Sequence, residues 1–100
     1  LLPFSLAAQN RPVTDLRVTL LTTMLTDGAG IGEWGFAAMV ETAGRRILFD
    51  TGGRPDTLLT NARELKVDLT GIPDVILSHN HGDHTVGLAS LTTQLAKARI

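Results

Sequence analysis

The chain has 100 residues, 43% hydrophobic and 19% charged, with 9 basic and 10 acidic side chains and a net charge of −1. That is enough for one small domain with a core, and the near-balanced charge leaves no basic face to suggest nucleic acid or an anionic membrane as a partner. No apolar run approaches the roughly eighteen residues a membrane-spanning helix needs, and without cysteine there are no disulfides or thiolate metal sites, although this does not fix the compartment.

Leu1-Leu2-Pro3-Phe4-Ser5-Leu6-Ala7-Ala8-Gln9 reads in two ways. It has the look of the tail of a signal peptide, with the small residues Ser5 and Ala7 spaced as a cleavage site requires. Its charged leading region is missing, and the alternative is a merely apolar terminus. Export, to the periplasm or beyond, is slightly favoured over the cytoplasm. Gln9, Asn10, Pro12 and Thr14 then read as a linker, so 1–14 is taken as a leader remnant and linker and 15–100 as the domain.

From Asp15 to Thr26 the pattern alternates. Leu16, Val18 and Leu20 point one way with Arg17 and Thr19 between them, which predicts a strand. Asp27-Gly28-Ala29-Gly30-Ile31-Gly32 is a glycine-rich loop with no phosphate-loop motif after it, and it reads as a mobile connection between strands. Phe36–Thr42 and Arg46–Asp50 read as two strands of a hairpin turning at Ala43-Gly44-Arg45. Trp34 is expected to cover the sheet edge, the other reading being the wall of a substrate cleft. Pro55 suits a helix start, and Leu58, Leu59, Ala62 and Leu65 fall on one stripe of a helix over about Asp56–Lys66. Gly71-Ile72-Pro73 breaks the chain before a fourth strand, Asp74–Ser78, whose consecutive Val75-Ile76-Leu77 suits a strand covered on both faces. Leu88, Leu91, Leu95 and Ala98 mark a further helix, and Arg99-Ile100 reads as the start of another strand. These elements predict a mixed sheet covered by helices.

The chemistry concentrates in Ser78-His79-Asn80-His81-Gly82-Asp83-His84, which holds all 3 histidines of the chain. Imidazole and carboxylate are ligands for zinc, iron and manganese. In extended backbone, residues two apart point the same way, so His79 and His81 can converge on one ion. Gly82 allows a sharp turn, after which Asp83 and His84 face a second point close to the first.

With its neighbours, the segment Leu77-Ser78-His79-Asn80-His81-Gly82-Asp83-His84-Thr85 resembles the H-x-H-x-D-H signature of the metallo-β-lactamase superfamily, and Asp50-Thr51-Gly52 resembles that family's second mark. The resemblance runs from about Val18 to Ile100. It implies an α+β fold, the N-terminal half of an αββα sandwich whose complete members are about two to three times this length. It implies metal ligation by His79, His81, Asp83 and His84, with two zinc ions, or iron or manganese, and the remaining ligands beyond Ile100. Asp83 would also orient the attacking hydroxide, and Asp50 would accept a hydrogen bond that orients a metal-binding histidine. The implied activity is hydrolysis of an ester, amide, lactone, thioester or phosphoester bond in a small-molecule substrate by a metal-bound hydroxide, with the 100 residues inactive alone. Asn61–Leu69 and Ile72–His84 are similar to the branch of dihydropterin-ribofuranosyl-aminobenzene phosphate synthase-like proteins, departing from it at Asn80, Gly82 and Val86. The alternative is a non-catalytic, degenerate metal-binding scaffold. Nothing in the residues indicates an oligomeric state.

Overall fold

A computed structural model describes residues 11–100; the signal-peptide reading, with most of the stretch assigned to leader and linker, lies outside them. Four strands form one sheet in the order β1-β2-β3-β4: β1 Arg17–Thr22, β2 Ala37–Thr42, β3 Arg45–Phe49 and β4 Asp74–Ile76. The first three are antiparallel, and β4 runs parallel to β3. The first four predicted strands are present: β1, β2 and β4 are shorter than expected, and β3 keeps its length but is shifted by one residue toward the turn. The β2–β3 turn is the two residues Ala43-Gly44, with φ of 47° and 75°. A left-handed pair of this kind matches the twist of the strands it joins.

The register divides the sheet cleanly. Met39 lies opposite Leu48, and Leu48 opposite Val75; side chains directly opposite share a face. These three and Leu21 are buried beneath Leu58 and Ala62 of helix α1, Thr57–Glu64. The other face carries Val18, Val40 and Ile47 in one cross-strand row and Leu20, Ala38, Phe49 and Ile76 in the next. Val18, Leu20 and Ile76 are about half exposed there. The expectation that β4 is covered on both faces therefore fails: Val75 is buried and Ile76 is 46% exposed, the second face being covered only in part, by Phe36 standing edge-on to Phe49 beside the buried Ala38.

Helix α1 ends in a Schellman turn. Lys66 takes φ 56°, its N–H reaches Arg63 O, and Val67 N–H reaches Ala62 O at 2.8 Å. Leu65, expected on the buried stripe, is 52% exposed, and the inward position is taken by Asn61. The Asn61 amide donates to the carbonyls of Leu21 and Ile31, and its oxygen accepts from Ile31 N–H at 2.7 Å. The glycine-rich loop, expected to be mobile, is thus pinned to the core by one buried side chain.

The parallel β3-α1-β4 crossover sets the ends of β3 and β4 side by side. Ligand sites of open α/β sheets lie at such strand ends. After β4 the chain forms a single helical turn α2, Gly82–Thr85, and then a 3₁₀ turn, Val86–Leu91. The predicted continuous α-helix is absent here. Leu91 and Leu95 are nonetheless buried, and Asp74 bridges Arg99 in parallel at the predicted fifth strand. The segment approaches the turn after β3 closely. Gly87 packs directly on the Thr51 carbonyl, where any Cβ would collide with it, and Gly87 N–H donates to Gly52 O.

Candidate metal centre

Asp50 follows β3 in the left-handed region, at φ 57°, and is fully buried. That backbone turn aims its carboxylate across the gap at the segment leaving β4. Oδ1 accepts from Ser78 N–H at 2.7 Å, and Oδ2 accepts from Ser78 O–H at 2.7 Å. Oδ2 also lies 2.7 Å from His84 Nδ1. Burial by itself pushes this carboxyl up. The Ser78 N–H, the Ser78 hydroxyl and His84 outweigh it and hold Asp50 below the ordinary carboxylate value of 3.8.

An ionised carboxylate only accepts, so His84 must donate from Nδ1, and in the neutral ring this leaves the lone pair on Nε2. The Ser78 hydroxyl has one proton and gives it to Asp50. Its 2.8 Å contact with His79 Nδ1 is therefore accepted by the hydroxyl oxygen, and in the neutral ring His79 likewise has its lone pair on Nε2. One buried carboxylate thus sets the tautomer of two imidazoles, one directly and one through a serine.

The free ends converge. The rings of His79 and His84 are 4.2 Å apart between centroids, and His84 Nε2 lies 3.4 Å from Asp83 Oδ2. One ligand atom from each of His79, Asp83 and His84 falls within 4.8 Å of the others, with His79 exposed and the other two half-buried. His81 stands outside this group, edge-on to His79 at 4.6 Å between centroids. The donor set fits a borderline divalent metal: imidazole nitrogens with their second ring nitrogen already engaged, and a carboxylate beside them.

The residues of the superfamily model for "metallo-beta-lactamase superfamily" match 35–100. The chain belongs to the metallo-beta-lactamase superfamily. The hairpin, crossover and motif described above are an α+β part of that fold. A 7,8-dihydropterin-6-methyl-4-(beta-D-ribofuranosyl)-aminobenzene-5'-phosphate synthase of Methanocaldococcus jannaschii is 41% identical over 64 residues, covering 62% of this chain and 22% of that protein. A solved metal-dependent hydrolase of the beta-lactamase superfamily is 38% identical with a TM-score of 0.63, over 74% of this chain and 26% of its own. A diphosphatase of the PhnP family shares the fold, with 22% identity and a TM-score of 0.57 over 80% of this chain and 36% of its own. The chain thus spans about a quarter of the length of the first two relatives.

Within the superfamily motif, the structure brings together His79, Asp83, His84 and Asp50, and leaves His81 one ring away. Trp34 does not cover the sheet edge. It is 73% exposed, in a shallow cleft with Met24, Leu25, Phe36, Asp83 and His84. Sequence reasoning missed Ser78 as the link between Asp50 and His79; the signal was a hydroxyl directly before the first histidine. It also missed Thr51, whose N–H and hydroxyl both donate to His84 O, at 2.8 and 3.0 Å.

Proposed function

We propose that this chain carries the metal-binding motif of a metal-dependent hydrolase that cleaves an ester, amide, lactone, thioester or phosphoester bond of a small-molecule substrate. The observation that carries this reading is the convergence of His79, Asp83 and His84, with both histidines oriented through Asp50. Membership of the superfamily and 38% identity to a metal-dependent hydrolase support it.

His79 and His81 would hold one ion, and Asp83 and His84 a second, with zinc first and iron or manganese as the other candidates. When bound, such a pair supplies acidified water as the nucleophile at neutral pH and polarises the scissile bond. The protein's own residues do the rest. Asp83 accepts a hydrogen bond from the attacking water and turns it toward the substrate. Asp50 holds the Nδ1 proton of His84 and, through Ser78, that of His79. Both Nε2 atoms then stay available, and both ligands become more basic.

The test is elemental analysis of the natural full-length protein beside its His79→Ala/His81→Ala variant. About two equivalents of zinc, iron or manganese, reduced in the variant, are expected. No bound metal after metal-replete purification contradicts the reading and leaves a degenerate scaffold.

A further inference from the structure

Glu33 is a carboxylate in a place that serves no role described so far. Its side chain is 1% exposed, although it lies in the loop between β1 and β2. Oε1 accepts from Gly53 N–H at 2.7 Å. Oε2 has no hydrogen-bond partner, and the nearest cation, Arg54, stands 4.0 Å away with a side chain 71% exposed. An exposed guanidinium at that range contributes little. Burying a carboxylate with so little compensation costs free energy, yet the fold makes room for it. A Cβ on Gly35 or Gly52 would come within 2.7 or 2.8 Å of Oε1.

The two segments that Glu33 joins are the ones that hold the second half of the motif. Phe36 N–H donates to Asp83 O at 3.2 Å, and Thr51 N–H donates to His84 O at 2.8 Å. A Cβ on Gly53 would lie 3.0 Å from Asp83 Cα. Segments 33–36 and 51–53 are tied to each other by Gly52 N–H to Phe36 O at 2.9 Å and by the Glu33–Gly53 bond. Glu33 is itself moored to the end of β1, its N–H donating to Thr23 O at 3.0 Å. Glu33 makes no direct hydrogen bond to the segment of His79 and His81, which leaves β4 through Ser78 and Asp50; its link to that segment runs only through Asp50, next to the 51–53 turn, and through His84 N–H, which donates to His81 O at 3.0 Å.

We propose that Glu33 is a positioning residue. Its carboxylate buckles the 33–36 loop to the 51–53 turn, and the buckle sets the backbone of Asp83 and His84 for metal binding, with a smaller effect on His79 and His81, which it reaches only indirectly. The inference rests on the metal-site reading above. What matters is an acceptor at the full length of glutamate, so Glu33→Gln preserves the buckle and Glu33→Asp, which keeps the charge but falls short of Gly53 N–H, breaks it.

The experiment is a titration of the metal-free full protein with Co²⁺, followed by its visible absorption, for wild type, Glu33→Ala, Glu33→Asp and Glu33→Gln. In wild type two equivalents bind. In Glu33→Asp and Glu33→Ala one equivalent weakens by about tenfold or more, the scale of lost support behind a ligand, while the other stays within about threefold. Glu33→Gln binds as wild type. Should Glu33→Ala fail to fold, the Asp and Gln variants decide. Wild-type binding by Glu33→Asp, equal weakening of both equivalents, or a Glu33→Gln protein as weak as Glu33→Asp each overturns this inference alone. A wild-type protein that takes up no cobalt overturns the metal-site reading with it.

Discussion

The two ends of the sheet each carry a non-glycine residue in the left-handed region, Ala43 at φ 47° and Asp50 at φ 57°. At the hairpin end, Ala43 is exposed; its N–H donates to Asp15 Oδ1 at 3.0 Å, and its side chain has no polar group to place. At the motif end, Asp50 is fully buried, and the same backbone conformation aims a carboxylate at three donors on Ser78 and His84. Left-handed backbone costs a non-glycine residue about 1–2 kcal/mol. At Ala43 that cost only closes a turn. At Asp50 it is offset by charge-assisted hydrogen bonds and places two imidazoles. Similar strain therefore has different meaning according to what the side chain reaches.

Asp50→Ala should break the comparison most severely. It leaves Ser78 N–H, Ser78 O–H and His84 N–H without their acceptor, and each unsatisfied buried donor costs about 1–3 kcal/mol. Urea unfolding should show a drop of this size, with metal affinity down by about 10–100-fold. An Asp50→Ala protein as stable as wild type would mean the carboxylate is a turn former only. Ser78→Ala removes one hydroxyl between Asp50 and His79, and should lower stability by about 1–2 kcal/mol. Its loss of metal affinity should be smaller than that of Asp50→Ala, because His84 keeps its direct contact.

The pH dependence sharpens the same point. Asp50 is held below its ordinary value of 3.8, so the unfolded chain takes up this proton more readily than the folded one. Its stabilising contribution is therefore complete above the unfolded value and lost as the pH falls through the lower folded value. Acid titration of stability should show a loss below about pH 4 that Asp50→Asn lacks; identical acid profiles would contradict the assignment. At the other end, Ala43→Gly should be the mildest change. Relief of the left-handed strain should raise stability by up to about 1 kcal/mol, partly offset by the greater freedom of glycine when unfolded. Metal content should not change.

The hairpin was legible because Ala43-Gly44 sits between two runs of strand formers, and the motif because every histidine lies in one stretch behind an apolar strand. Residue type alone left Asp50 a turn former; only the family resemblance gave it a histidine to orient. Glu33 was not legible at all, since an acidic residue beside glycines in a loop ordinarily faces water, and its burial depends on backbone contacts with residues about twenty positions away. Asn61 was hidden within a helical stripe that put Leu65 inward. The leucines at 88, 91 and 95 fit an α-helix, but only Leu88 and Leu91 fall in the observed 3₁₀ segment, and the contact of Gly87 with Thr51 beside it is one that no local pattern encodes.

The most direct test of the account is the nitrogen-15 spectrum of the histidine rings at neutral pH, before and after zinc is added. The account predicts that His79 and His84 of the metal-free protein are protonated at Nδ1, the minor tautomer of free histidine. On adding zinc, their Nε2 resonances should move while the Nδ1 protons stay in place. Rings protonated at Nε2, or Nε2 resonances indifferent to zinc, would contradict the claim that Asp50 presents these two histidines to a metal.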